Sequence, residues 1–133
     1  MTRKQQIIQI LFAGLLYTLF MTNSYGIDFS KKNNQELIKE AGTMIGNDAV
    51  EFALEIKKRA NAMQEKARKD FIEKLERSYK ENTKNMKLDD LKRYEKEILQ
   101  GIKTKVGTMS DKAKQQYGIT KEWLENFYET LRE

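Results

Sequence analysis

Apolar residues recur along this chain at intervals of three and four, and no stretch alternates at period two for long enough to make a strand. The pattern predicts an all-α fold of four to six short amphipathic helices, in an open bundle or a helical-hairpin array, with no sheet. A first helix is predicted over 34–41, with Asn33 as its cap, Glu36 as the answering half of a capping box and Gly42 as its stop. Gly46 and Asn47 mark a turn. Asp48 is then the expected cap of a second helix, with Glu51 as its partner and Ala49, Phe52, Ala53, Ile56, Ala60 and Met63 as its apolar stripe. Over 64–82, Glu65/Lys69, Asp70/Lys74, Glu73/Arg77 and Glu76/Lys80 are acid-before-base pairs at i, i+4, and Phe71, Ile72, Leu75 and Tyr79 form the inward face. Asn61 is a weak breaker, so continuity between 48–63 and 64–82 stays open. A fourth helix is predicted over 89–106, with Gly101 weakening its last turn. Ser110 caps a fifth that ends at Tyr117 with Gly118 as a left-handed stop, and Thr120 caps a last one, where Trp123, Leu124, Phe127, Tyr128 and Leu131 crowd one side.

The first 26 residues follow a different rule. Arg3 and Lys4 precede an apolar run, 7–21, broken only by Gln9 and Thr18, and small residues stand at Ser24 and Gly26. A cationic start, an apolar middle and small residues at a cleavage position describe a secretory signal peptide. The run is shorter than the roughly 20 apolar residues that a membrane span needs. The predicted organisation is therefore a signal peptide over 1–26, cleaved after Gly26, a mobile arm over 27–33, and a single all-helical domain over 34–133. The expected location is outside the cytosol, periplasmic or secreted, with membrane contact only through the signal peptide before cleavage.

Composition narrows the chemistry. Cysteine, histidine and proline are absent. Without Cys or His there is no ordinary zinc, copper or haem site, no catalytic triad and no thiol chemistry. No Asp-rich loop has EF-hand spacing either, so no metal, cofactor or catalytic residue is assigned. Carboxylate pairs such as Asp89/Asp90 and Glu95/Glu97 exist on paper, but 20 carboxylates spread among 25 cations contain such pairs by chance. The expectation is a protein without enzymatic activity. Without Arg3 and Lys4 the net charge drops from +5 to +3, with both signs mixed along the length, which is a solvated helical surface and not a nucleic-acid stripe. From residue 27 onward, 38 of 107 side chains are apolar. With glycine included the fraction stays below the usual 45–50% of globular domains. A thin core is expected, laid out openly or completed by a second copy.

A faint internal echo runs through the helices. Met44, Met63, Met86 and Met109 each stand near a predicted helix start or break, and each is followed eight positions later by an aromatic residue: Phe52, Phe71, Tyr94 and Tyr117. The plain account is an apolar staple before each helix, with its aromatic two turns on in the core. The sharper account gathers Met63, Phe71, Met86, Tyr94 and Met109 on one adaptable binding face. Exposure separates the two accounts: staples are covered, client-binding methionines open.

The stretches Phe29-Ser-Lys-Lys-Asn-Asn-Gln-Glu-Leu-Ile38, Ala41-Gly42-Thr43 and Asp48-Ala-Val-Glu-Phe-Ala-Leu-Glu-Ile-Lys-Lys-Arg59 resemble a family of small exported helical proteins found mainly in Helicobacter and catalogued as a domain of unknown function. The likeness covers 29 to about 117. It implies export, an all-helical fold and no established enzymatic role, and it brings an association with sialic-acid binding but no functional residues. A weaker similarity, to periplasmic helical stress chaperones, rests on Leu88-Asp-Asp-Leu-Lys92 and Met109-Ser-Asp-Lys-Ala113, which lack the Gln of that signature and share only helix-capping chemistry.

Two functional readings result. The first is an exported, chaperone-like binding protein of the cell envelope that holds partly unfolded proteins on the methionine–aromatic face, and that self-associates. The second is a secreted or surface carbohydrate-binding protein, with Lys121, Trp123 and Tyr128 as contacts for an anionic glycan such as sialic acid; a Trp123 ring more than half open would favour it. The Lys57-Lys58-Arg59 run also suggests a membrane surface, but Glu51 and Glu55 interrupt that face.

Overall fold

The computed structural model describes residues 27–132, six α-helices and no strand among them. The predicted signal peptide, 1–26, lies outside the described residues. Helix α1 is Asn34–Glu40, α2 Gly46–Ala62, α3 Glu65–Thr83, α4 Leu88–Gly107, α5 Asp111–Gln116 and α6 Lys121–Arg132. The all-α reading holds, and most helix ends fall where the capping residues put them. Asn33 accepts from the Glu36 amide at 2.8 Å, Ser110 from Ala113 at 3.1 Å and Thr120 from Trp123 at 3.1 Å. Gly42 and Gly118 take the left-handed conformation, with φ of +90° and +66°. Among the described residues no helix is long and apolar enough to cross a membrane.

Two regions differ from the sequence reading, and one boundary that it left open is settled. Helix α2 starts three residues early: the chain turns in through Gly46 at φ +56°, Ile45 takes the cap position without a side-chain bond, and Asp48 sits in the first turn instead of capping it. There its charge still meets the positive end of the helix dipole. Helices α2 and α3 are separate, because Met63 and Gln64 are extended. Arg68 fixes the break by donating to the carbonyls of Ala60 and Met63, both at 2.8 Å, which satisfies the end of α2 from the next helix. The second difference is at 27–33, expected to be a mobile arm. Residues Phe29–Lys31 form a 3₁₀ turn, and Phe29 is 3% exposed, edge-on to Phe52 at 5.5 Å between ring centres. The Arg59 guanidinium, aligned by Glu55 at 3.0 Å, donates to the carbonyls of Phe29 and Lys32 and to Asn34.

The apolar side chains form two clusters, and α2 contributes to both. Ala49, Val50, Ala53 and Leu54 pack with Tyr94, Ile98, Ile102 and Val106 of α4 and with Trp123 and Phe127 of α6. Phe52 and Ile56 pack instead with Phe29, Leu37, Phe71 and Leu75. The predicted stripe of α2 is buried apart from half-covered Met63, but burial of Val50 and Leu54 as well makes it a central helix with two apolar faces. Half-buried Met44, and Tyr79 of α3, also touch both clusters. The core is thus thin, as composition requires, and divided.

Gly101 sits where α4 crosses α2: a Cβ there would lie 2.5 Å from Cγ2 of Val50, a side chain stiff at χ1. Gly107, at the end of the same helix, has nothing within 4 Å. Gly101→Ala is therefore expected to destabilise by about 1–3 kcal/mol through overpacking, despite the better helix propensity of alanine. Gly107→Ala should leave stability unchanged or raise it by up to about 1 kcal/mol. Urea unfolding of the two variants checks the contrast.

Candidate functional site

The structure distributes the residues of the methionine–aromatic face. Met63 and Phe71 belong to the cluster around Phe29, whereas Tyr94 and Met109 belong to the one around Trp123. Met86, half-buried between α3 and α4, is part of neither. Phe71 and Tyr94 are each 4% exposed, and the Tyr94 hydroxyl donates to the Met44 carbonyl at 2.5 Å. The five side chains are not brought onto one surface. The residues proposed from sequence for a glycan diverge too. Lys121 is exposed, and Tyr128 is 43% exposed, five positions and about 140° around the helix from Trp123. Trp123 is only 8% exposed and stacks on Phe127 with ring centres 5.0 Å apart.

What the fold does assemble is the far end of α2 with the α5–α6 connection. Three consecutive cations point in three directions there. Lys57 Nζ donates to the Gly118 carbonyl at 3.1 Å and lies 5.4 Å from the centre of the Trp123 ring. Lys58 stands 5.9 Å from the Tyr117 ring, and Arg59 holds the N-terminal turn. Neighbours along a helix are about 100° apart, so a basic tripeptide covers much of its circumference. Each of these three is engaged internally, which is why the run does not make a cationic face.

Beside Lys57 opens a groove of about 370 Å³ lined by Asn61, Asp111, Lys114, Gln115, Gly118, Ile119 and Thr120. Its shape follows from the end of α5. The Ile119 amide donates to the Lys114 carbonyl at 2.8 Å and Gly118 to that of Gln115 at 3.1 Å, a left-handed closure that turns the chain against Asn61. A Cβ on Gly118 would come within 3.0 Å of the Asn61 Cβ, so glycine sets both the turn and the approach. The wall offers two amides, a carboxylate, an ammonium and a hydroxyl above the apolar side chain of Ile119. Such a set donates and accepts around a small polar ligand. Sequence reasoning identified Gly118 and Thr120 only as stop and cap and Asn61 only as a breaker; Asp111, Lys114 and Gln115 carried no signal.

Burial shifts several ionisable groups. Burial, with a smaller push from Arg68, lowers Lys57 to about 8. Burial raises Glu95, offset in part by the Tyr79 hydroxyl that donates to it at 2.8 Å, and burial next to this carboxylate raises Tyr79 in turn. Of the carboxylate pairs noted in the sequence, Glu95 is thus tied to Tyr79, while Asp90 pairs with Arg93. Among the described residues no group of three or more acidic side chains is gathered as a metal would require.

A model of the family described as protein of unknown function (DUF1104) matches residues 28–119. No curated protein and no solved structure matches the chain.

Lys57 gives a pH signature. Its amine is held near 8 in the fold and returns to 10.5 on unfolding, so between those values the unfolded chain binds the extra proton. Raising the pH removes that proton and favours folding. The charged amine is therefore most costly below pH 8, and the cost disappears as pH rises toward 10.5. Measured by urea unfolding across this range, the wild-type protein should gain stability relative to Lys57→Met. A difference between the two that stays flat with pH would refute this assignment.

Proposed function

The chain belongs to the family of proteins of unknown function (DUF1104), and from that premise we propose that it is an exported binding protein of the cell envelope that takes a carbohydrate in the groove between α2 and the α5–α6 connection. The observation that carries the reading is the lining of that groove. Sugar hydroxyls both donate and accept, and Asn61, Gln115, Asp111 and Thr120 offer both functions within one concavity. Lys114 suits an acidic sugar, and sialic acid is the one that the family resemblance suggests. The role is binding without catalysis: no histidine or cysteine is present to share proton transfer or nucleophilic work. The chaperone-like reading has less support, since two of its five contact residues, Phe71 and Tyr94, are core side chains.

Export rests on the Arg3–Gly26 pattern and is tested by the N-terminus of protein recovered from the periplasm or medium, expected at Ile27. For the groove, a glycan array followed by calorimetry is the direct experiment. Binding of an acidic glycan is expected, with Lys114→Ala and Gln115→Ala each weakening it about tenfold, near 1.4 kcal/mol. Lys121→Ala should change it little. An array without hits, alongside suppression of a model client's aggregation, would replace this reading with the chaperone one.

A further inference from the structure

Among the described residues, half-buried cations are matched, with one exception. Lys32 meets Glu40, Lys105 meets Glu51 at 2.6 Å, and Arg59 meets Glu55 at 3.0 Å. Arg68 closes the end of α2, Lys57 donates to the Gly118 carbonyl, and Lys58 lies over the Tyr117 ring. Lys114 is the exception: half-buried in the wall of the groove, its ammonium has no hydrogen bond or ion pair among the described residues. Asp111, one turn earlier on α5, lines the same groove and is unpaired as well. Side chains three apart on a helix stand about 5–6 Å apart at Cβ, yet these two do not bridge. They are the charged members of the wall, one of each sign, so the groove carries no net charge but a divided one. The side-chain amides of Asn61 and Gln115 beside them make no hydrogen bond to the described residues either.

We propose that the groove selects a zwitterionic sugar, one that carries a free amino group as well as a carboxylate, with Lys114 taking the carboxylate and Asp111 the ammonium. This preference rests on the carbohydrate reading of the groove and gives Asp111 a charge-specific task within it. An acidic sugar whose amine is acylated, as in N-acetylated sialic acid, gains at Lys114 and loses at Asp111, because like charges repel where unlike charges attract. An amino sugar without an acid has the reverse balance. Only a ligand with both charges gains at each end, and the pairing also fixes its direction in the groove. Hydroxyls on the same ring are left to Asn61, Gln115 and Thr120, which donate and accept whatever the charge. The volume, about 370 Å³, is at the small end for ligand pockets and suits a single sugar unit. Asp111 is exposed and Lys114 half-buried, so each contact has the modest strength of a pair near the surface.

Four monosaccharides separate the charges: muramic acid carries both, N-acetylmuramic acid only the carboxylate, glucosamine only the amine, and glucose neither. Each is titrated into the purified protein at about pH 6, where an amine of this kind holds its proton, and binding is followed by NMR shift changes. Muramic acid should bind about fivefold more tightly than N-acetylmuramic acid and than glucosamine, the size of one pair near the surface. Asp111→Asn should erase the first difference and Lys114→Gln the second, a ligand-by-ligand split that a merely structural role would not produce. The comparison of sugars on the wild-type protein stands whether or not either variant folds. If muramic acid binds no better than N-acetylmuramic acid, or if each substitution weakens every sugar alike, the zwitterion preference fails while the carbohydrate groove survives. If none of the four binds, the carbohydrate reading falls and the preference falls with it.

Discussion

Everything in this molecule is arranged around the double burial of α2. A helix with one apolar stripe needs one partner layer, but α2 turns Ala49, Val50, Ala53 and Leu54 to one cluster and Phe52 and Ile56 to another. It is the helix that gives fully buried residues to both, so neither half is complete without it. The arrangement compensates for a chain poor in apolar residues: two small clusters share one wall, and the same backbone is covered from both sides. The close crossing at Gly101, where Val50 fills the space of a missing side chain, is the geometric condition for one of those walls.

A helix covered on two sides has little circumference left for solvent, and the cations at its far end show how that remainder is used. Lys57, Lys58 and Arg59 leave the helix about 100° apart and reach the α5–α6 connection, Tyr117 and the N-terminal turn. Lysine and arginine carry long apolar stems with a donor at the tip, so they span the distance from a crowded helix to a backbone carbonyl. The two segments they meet, the α5–α6 connection and the N-terminal turn, are short and have little apolar surface of their own. Desolvation of Lys57 is the electrostatic cost of that reach, and the polar groove around Gly118 lies at its end.

The sequence carried the helices plainly, because period and capping chemistry are local. Ser110, Thr120, Asn33 and Gly118 act within a few residues of themselves, and the structure places them in the roles their types suggest. What it did not carry was anything decided at long range. Phe29 reads as a lone aromatic in a charged arm, and only Phe52 and Arg59, more than twenty residues on, make it a core residue. Val50 and Leu54 fall off a single 3.6-residue stripe and are understood only once α2 has neighbours on both sides. The methionine echo recorded helix starts, not a surface. The groove was invisible for the same reason as Phe29: its wall joins Asn61 to residues some fifty positions later, and polar side chains in loops and short helices have no periodicity to betray them.

Helix α1 illustrates what such long-range fastening implies for assembly. Its carbonyl end is closed by Asn82, whose amide donates to Ala41 at 2.6 Å and to Lys39 at 3.2 Å from the last turn of α3. Seven residues are too few to hold a helix in water by themselves. A template must therefore come first, and the template is synthesised later than the segment it shapes. Helix α1 has to wait for residues some forty positions downstream before it acquires its form.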